Sequence, residues 1–267
     1  MNKHKEYNSV HKFQPEKMKR NITKLFLGVL LCCCCLSAKS QTSEQTQPSE
    51  INSPWYIGIK GGLPFGVCTL SSFAEDKTRL GYDMGIYGGY NINSIFSLEA
   101  FLMYGQVDMS TRGGNDYWMG QDGAFYYTPV SEMEGSLYSK LHSTATITRI
   151  GFQGNMDFLH FLSKNKNTRW KLYVSPAISA VKTCGTVKTI NGNKKIFKGS
   201  NDLQLGLGGD ISSAYQLTRH IKAQIYTGIT WLTNKRIDAM PKHQYSDNRI
   251  IESGIKLSWT FVKKGTK

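Results

Sequence analysis

Few residues in this chain are spaced for chemistry. His142 is followed by Ser143, and His243 lies near Ser246 and Asp247. A histidine beside a hydroxyl and an acid can activate a nucleophile, provided base and nucleophile reach hydrogen-bond distance. With 6 histidines in a polar chain, such neighbours arise by coincidence, and they support no enzymatic assignment. No His, Cys or Asp spacing repeats as a metal site requires. Gly206, Gly208 and Gly209 fall within a strand pattern and lack the GK[ST] of a phosphate loop. The chain is therefore read as a non-enzyme, with no cofactor and no metal.

The charged residues are more telling. Lys60, Asp83, Glu99, Arg149, Asp157, Lys171, Asp202, Asp210, Lys222, Glu252 and Lys256 all stand in segments where polar and apolar residues alternate. Each falls on the polar side, and the set holds six acids and five bases. Buried singly, such groups are costly. Gathered inside a narrow barrel they can pair, and eight strands leave an interior just wide enough for side chains to fill. The expectation is an ion-pair network in a filled lumen, not an open channel.

Strict alternation is the mark of a β-strand with two unlike faces. Eight candidates run over about 55–66, 79–91, 95–107, 140–161, 169–182, 200–216, 221–233 and 249–262. Most of their apolar faces are clean: Leu203, Leu205, Leu207 and Ile211 oppose Asp202, Gln204, Gly206 and Asp210. The fourth is the least clean, with Ile150, Phe152, Met156 and Phe158 against Arg149, Gln153, Asn155 and Asp157. Pro176 also stands against the pattern, since proline cannot donate to a ladder, and a bulge is expected there. The connections alternate. Residues 92–94, 163–168 and 217–220 are short turns; about 67–78, 108–139, 183–199 and 234–248 are long loops. Short turns at one end and long loops at the other are the layout of an outer-membrane barrel. Aromatics sharpen the pattern. Trp55, Tyr90, Phe96, Phe158, Trp170, Tyr215, Trp259 and Phe261 fall at the short-turn ends, and Tyr82, Tyr104 and Trp231 near the long-loop ends. Rings collect at membrane interfaces, where one side is apolar and the polar handle stays wet. The fold expected is all-β: an eight-stranded antiparallel up-and-down transmembrane β-barrel. The alternative, a soluble lipocalin-type barrel, turns the greasy face inward.

The N-terminus agrees with export. LFLGVLLCCCCL, residues 25–36, follows Lys19, Arg20 and Lys24 and precedes Ala38-Lys39-Ser40. Basic, apolar and small-residue regions in that order make a secretory signal peptide over 1–40, with Met18 a better start than Met1. Removing its 8 basic and 2 acidic residues from 33 and 19 leaves 25 against 17, a net of +8 instead of +14. Cys32 to Cys35 leave with it, and Cys68 and Cys184 remain, paired or unpaired. Residues 41–53 read as a flexible periplasmic tail, 54–262 as the barrel and 263–267 as a basic tail. No run of about 18 apolar residues occurs in the body of the chain, so no transmembrane helix is expected.

YIGIKGGLPFG (56–66), RLGYDMGIYGGYNIN (79–93), FSLEAFLMY (96–104), LGLGGD (205–210) and the last strand together resemble the small outer-membrane β-barrels. These are the porin-family barrels, relatives of the OmpA membrane domain and of the secretion-associated PorT barrel. The resemblance spans about 54–262. It implies an outer-membrane location and contact with outer-membrane lipid and lipopolysaccharide. It also implies that Gly254, Leu257, Trp259 and Phe261 are read by the barrel-assembly machinery. Six residues follow Phe261, where many members end, and the peptidoglycan-binding domain of full-length OmpA-like proteins is not expected here. The leading function is a structural or narrow-pore porin-like barrel. A second reading is a surface-interaction or secretion-accessory barrel. Its contact surface would be loop 108–139, with Tyr117, Trp118, Phe125, Tyr126 and Tyr127 as binding candidates for an extracellular or periplasmic protein. A lipid-modifying enzyme is the third. Nucleic acid is not an expected partner, because the basic residues are scattered and the protein is exported.

Overall fold

In a computed structural model, the structure describes residues 54–74, 77–111, 117–162, 169–190, 194–199, 202–233, 237–240 and 248–261. The signal peptide, the tail 41–53, His243, Ser246, Asp247 and the residues after Phe261 lie outside them.

Eight long strands form the wall: β1 (Trp55–Val67), β2 (Tyr82–Asn91), β3 (Phe96–Ser110), β7 (Leu141–Asp157), β8 (Trp170–Thr189), β10 (Asp202–Gln216), β11 (Ile221–Leu232) and β12 (Arg249–Thr260). Four short strands lie at the long-loop end: β4 (Trp118–Gly120), β5 (Phe125–Tyr126), β6 (Gly135–Leu137) and β9 (Lys195–Lys198). Each long strand pairs antiparallel with the next, and β1 pairs with β12 from Tyr56↔Thr260 to Val67↔Arg249. The eight long strands therefore close on themselves, and in this sheet only the short β9 keeps an unpaired side. This is the eight-stranded antiparallel barrel that the alternation predicts.

The greasy face points out. Ile59, Ile86 and Ile255 are 61%, 61% and 67% exposed, while Asp83, Glu99, Arg149, Asp210, Glu252 and Lys256 are buried inside. That is the inside-out pattern of a membrane barrel, and it excludes the lipocalin arrangement. The belt has aromatic borders. Trp55 packs edge-on to Tyr90 and Trp170 packs against Tyr215, both with ring centroids 4.8 Å apart, at the short-turn end. Tyr82, Tyr104 and Trp231 are exposed near the other end.

Inside, glycines make room for rings. A Cβ on Gly89 would lie 2.2 Å from the Tyr56 ring, and one on Gly58 would lie 2.5 Å from the Tyr87 ring. Two tyrosines thus lie along the inner wall, each over the paired glycine of the neighbouring strand, where any larger residue opposite them would clash.

Three local expectations need correction. No bulge forms at Pro176. It pairs with Gly209 of β10, while on the β7 side the ladder skips Gly154 and Asn155 and resumes at Met156↔Val174 in the same register. The missing N–H is accommodated by a gap in one ladder instead of an extra residue. The fourth strand stops at Asp157, and Phe158–Leu162 forms a helical turn whose His160 N–H donates to Asp157 Oδ1 at 3.2 Å. Asp157 thereby stops the strand, because its side chain offers the following backbone a helical alternative. The fifth strand runs seven residues past its expected end at 182, because β9 folds back on it through Thr186↔Lys198 and Val187↔Phe197.

Candidate functional site

The lumen is layered. Its middle layer is ionic. Arg149 of β7 donates from Nη2 to Asp83 Oδ2 at 2.6 Å and also to Glu252 of β12. Glu252 further accepts from the Tyr226 hydroxyl and lies 3.3 Å from Lys60 Nζ. Lys60 Nζ sits over the Tyr226 ring at 4.3 Å. A second cluster centres on Lys256, 3.1 Å from Asp210 and 3.7 Å from Glu99. Asp210 accepts from Gln153 Nε2 at 3.0 Å, and Glu99 accepts from the Tyr56 hydroxyl at 3.1 Å. Gln153 also donates to Asn155 at 2.9 Å, and Asn155 to Ser97 at 3.2 Å. Arg149, Glu252, Glu99 and Asp210 thus each have an opposite charge and a neutral hydrogen-bond partner, the condition under which burying ions is tolerable, whereas Asp83 has Arg149 alone and its Oδ1 has no partner among the described residues.

Toward the short turns the network loosens. Lys171 is half exposed, 3.7 Å from Asp157. Lys222 Nζ lies over the Tyr56 and Tyr173 rings, 5.1 and 4.9 Å from their centroids, and no carboxylate among the described residues is within 4.0 Å of it. Asp202 opens β10, and its side chain is outside the described residues.

The layer toward the long loops is apolar. Val107 and Met109 of β3, Leu141 and Ile147 of β7, Val181 and Val187 of β8 and Ile250 of β12 point inward. Loop residues meet them: Leu70, Met119, Ile196, Ile237 and Met240, all at or near full burial. Buried Asp238 fastens this plug. Its Oδ2 accepts from the Leu70 N–H at 2.8 Å and its Oδ1 from the Met240 N–H at 3.1 Å, while Ser143 Oγ donates to its carbonyl at 2.7 Å. Where the layers meet, the void lined by Asp83, Met103, Val107, Ile147, Arg149 and Ile250 measures about 10 Å³. That is about one water's worth of centre space.

The second long loop forms a three-stranded sheet, β5-β4-β6. Trp118 is buried on it, 5.8 Å from the Tyr126 ring. Tyr117 packs on Tyr127 at 5.3 Å and on Phe125 at 6.3 Å, and Phe125 on Tyr138 at 5.9 Å. The Tyr138 hydroxyl donates to the Thr69 carbonyl at 3.0 Å, which ties this loop to the first. Tyr127 remains 85% exposed. Tyr126 donates to the exposed carboxylate of Asp122, holding that carboxyl below, and its own phenol above, the ordinary range.

The histidine pair does not assemble. Ser143 points inward to Asp238, whereas His142 lies on the opposite side of β7, in register with Lys188 and Ser110 on the wall's outer face. Neighbours in an extended strand face opposite ways, so they are not a base and its nucleophile. Cys68 is buried inside, its Sγ 3.6 Å from Asn248 Oδ1, and Cys184 sits on the outer wall; the two do not pair with each other. In β12, Leu257 and Trp259 face outward, Phe261 follows them half exposed, and Gly254 faces Gly62 across the β1 seam.

The ionic residues were legible as one face of alternating strands, but the apolar plug was missed. Its signal was present: the inward phase holding Glu99 and Met103 continues to Val107 and Met109. The loop residues that meet them, Ile237 and Met240 above all, have no periodicity to read.

No family model matches the chain, and no curated protein sequence matches it. Among solved structures, Neisserial surface protein A is similar at 14% identity and a TM-score of 0.44, over 78% of this chain and 98% of that one. A major outer membrane protein of Thermus thermophilus is similar at 10% identity and 0.45, over 78% and 99%. Ail of Yersinia pestis is similar at 7% identity and 0.41, over 78% and 99%. The likeness is one of barrel architecture and reaches no further.

Proposed function

We propose that this protein is an integral outer-membrane barrel, structural and non-enzymatic, whose lumen is plugged and whose long loops face the outside. The observation that carries the reading is the outward aliphatic belt with aromatic borders, wrapped around a closed wall of eight long strands. A soluble protein rarely exposes an apolar patch above a few hundred Å². The direction in the membrane follows from the loops, because outer-membrane barrels keep short turns in the periplasm and long loops outside. On this reading Ile255 and Leu257 meet lipid, and Trp259 and Phe261 sit at the periplasmic interface, where the assembly machinery reads them. On the same reading the ionic middle and the apolar plug close the lumen to solutes, which makes the barrel porin-like in form and not in conduction. Detergent fractionation, a heat-dependent gel shift and single-channel recording test this directly. A protein soluble without detergent would refute the membrane reading, and steady conductance steps would refute the plugged lumen.

A second reading has its own observation. Exposed Tyr127 stands beside Tyr117 and Tyr126 on the three-stranded loop sheet. This suits an accessory role in which loop 108–139 holds a protein partner. Deleting 121–134 should then abolish partner capture while the barrel keeps its gel shift.

A further inference from the structure

Among the described residues, Arg249 of β12 shares the outward phase with Trp231, but the outer wall's lysines above the belt gather in a different sector, on β8 and β9. Above the belt, Lys182 of β8 points outward on the rung that runs from Tyr104 through Thr148. Lys198 of β9 lies outward across from Thr186, four residues further from the belt, and Lys188 and Lys195 face each other two residues beyond that. Six residues of strand cover about 20 Å. A kink makes this arrangement possible. The register slips between Val187 and Lys188, so that Ile196 and Phe197 both turn toward the plug and Lys195 and Lys198 both stay outside.

These four lysines are uncompensated. Among the described residues, none lies within 4.0 Å of a carboxylate, although Lys194 beside them pairs with Glu134 at 2.8 Å. Asp108, an acid on the outer face in the same band of the wall, is two strands from Thr186 and accepts from Gln106 Nε2 at 3.2 Å. Directly below Lys182 the wall is apolar, with Ala180, Ile178, Ile150 and Phe152 exposed. Apolar surface capped by a column of free cations is complementary to a molecule with acyl chains and several phosphates.

We infer that the outer face of β8 and β9 seats a phosphorylated glycolipid of the lipid A class, its chains along Ile150 and Ile178 and its phosphates among Lys182, Lys188, Lys195 and Lys198. The inference rests on the membrane reading of the belt. A lysine near an anionic lipid surface contributes about fivefold in affinity, from about 1 kcal/mol each. Two engaged lysines therefore give about 25-fold.

The test uses the full mature chain in phosphatidylcholine nanodiscs, with fluorescent lipid A and its dephosphorylated form as probes. Wild-type protein should prefer lipid A by about 25-fold or more. K182Q/K188Q/K195Q/K198Q should lose that preference, and the corresponding four Lys→Arg changes should keep it. Equal binding of the two lipids by wild type, a comparison that needs no variant, overturns the inference. So does an undiminished preference in the Gln variant, or displacement of lipid A by millimolar inorganic phosphate, which would mark a free-anion site. The heat-dependent gel shift in phosphatidylcholine alone separates the two levels. If it is absent, the belt reading fails and takes this one with it. If it is present without lipid A preference, only this inference fails.

Discussion

Arg149→Met tests whether the lumen is filled. The guanidinium joins Asp83 and Glu252, and all three side chains are 7% exposed or less. Methionine keeps most of the apolar stem and loses the guanidinium, including its Nη2 contact with Met103 Sδ, so the change removes charge more than volume. Glu252 would still have Lys60 and Tyr226, whereas Asp83 would lose its only carboxylate-neutralising partner among the described ion pairs. Breaking a buried pair by removing one member costs about 3–5 kcal/mol. Because Glu252 stays paired, the cost of one break applies, not two. Equilibrium urea unfolding in lipid vesicles, followed by tryptophan fluorescence, measures it. Arg149→Met/Asp83→Leu restores charge balance and should return to within about 1–2 kcal/mol of wild type, since apolar groups often replace buried pairs at little cost. A cost below about 1 kcal/mol for Arg149→Met is the value for a water-exposed pair. That result would show an open, hydrated lumen and refute the reasoning.

Other consequences are as direct. Ile255→Arg places a charge near the middle of the belt and should cost about 2–4 kcal/mol, whereas Trp259→Arg at its edge should cost about 0–1 for the charge; equal values in vesicle unfolding would contradict a membrane-depth origin. Asp238→Ala orphans the Leu70 and Met240 N–H groups, at about 1–3 kcal/mol each. The first and fourth long loops should become cleavable by protease while the gel shift persists. Asp122, held low by the Tyr126 hydroxyl, adds to loop order above the ordinary Asp value of about 4, and that contribution fades as pH falls through the lower folded value. Tyrosine fluorescence of the loop should therefore change below about pH 4 in wild type, and the Asp122→Asn variant should lack that transition.

The sequence made the wall legible because a strand's faces alternate with a period of two, and a membrane barrel keeps them unlike along its whole length. Glu99 and Met103, or Ile255 and Lys256, declare their sides without any knowledge of neighbours. What pairs with what was not legible. Arg149 meets Glu252 across 103 positions, and only strand order and register bring them together. The ends of elements failed for local reasons: a side chain capping a turn at Asp157, and a returning hairpin at Lys195–Lys198. Loop packing failed most completely, since Leu70, Ile237 and Met240 are ordinary apolar residues whose burial depends on a barrel mouth built elsewhere.

The last strand carries both charges that complete the ionic layer. Before β12 docks, Lys60 on β1 lacks Glu252, and Glu99 and Asp210 lack Lys256. One segment, presenting Glu252 and Lys256 on a single face, neutralises both clusters as it zips against β1 and β11. An unfinished barrel is thus left with unmatched charge of both signs around its lumen, and a register slip of one residue would send Glu252 and Lys256 into lipid. The correct register is thus favoured by electrostatics as well as by the ladder, since a misregistered seam would leave both clusters short of a partner.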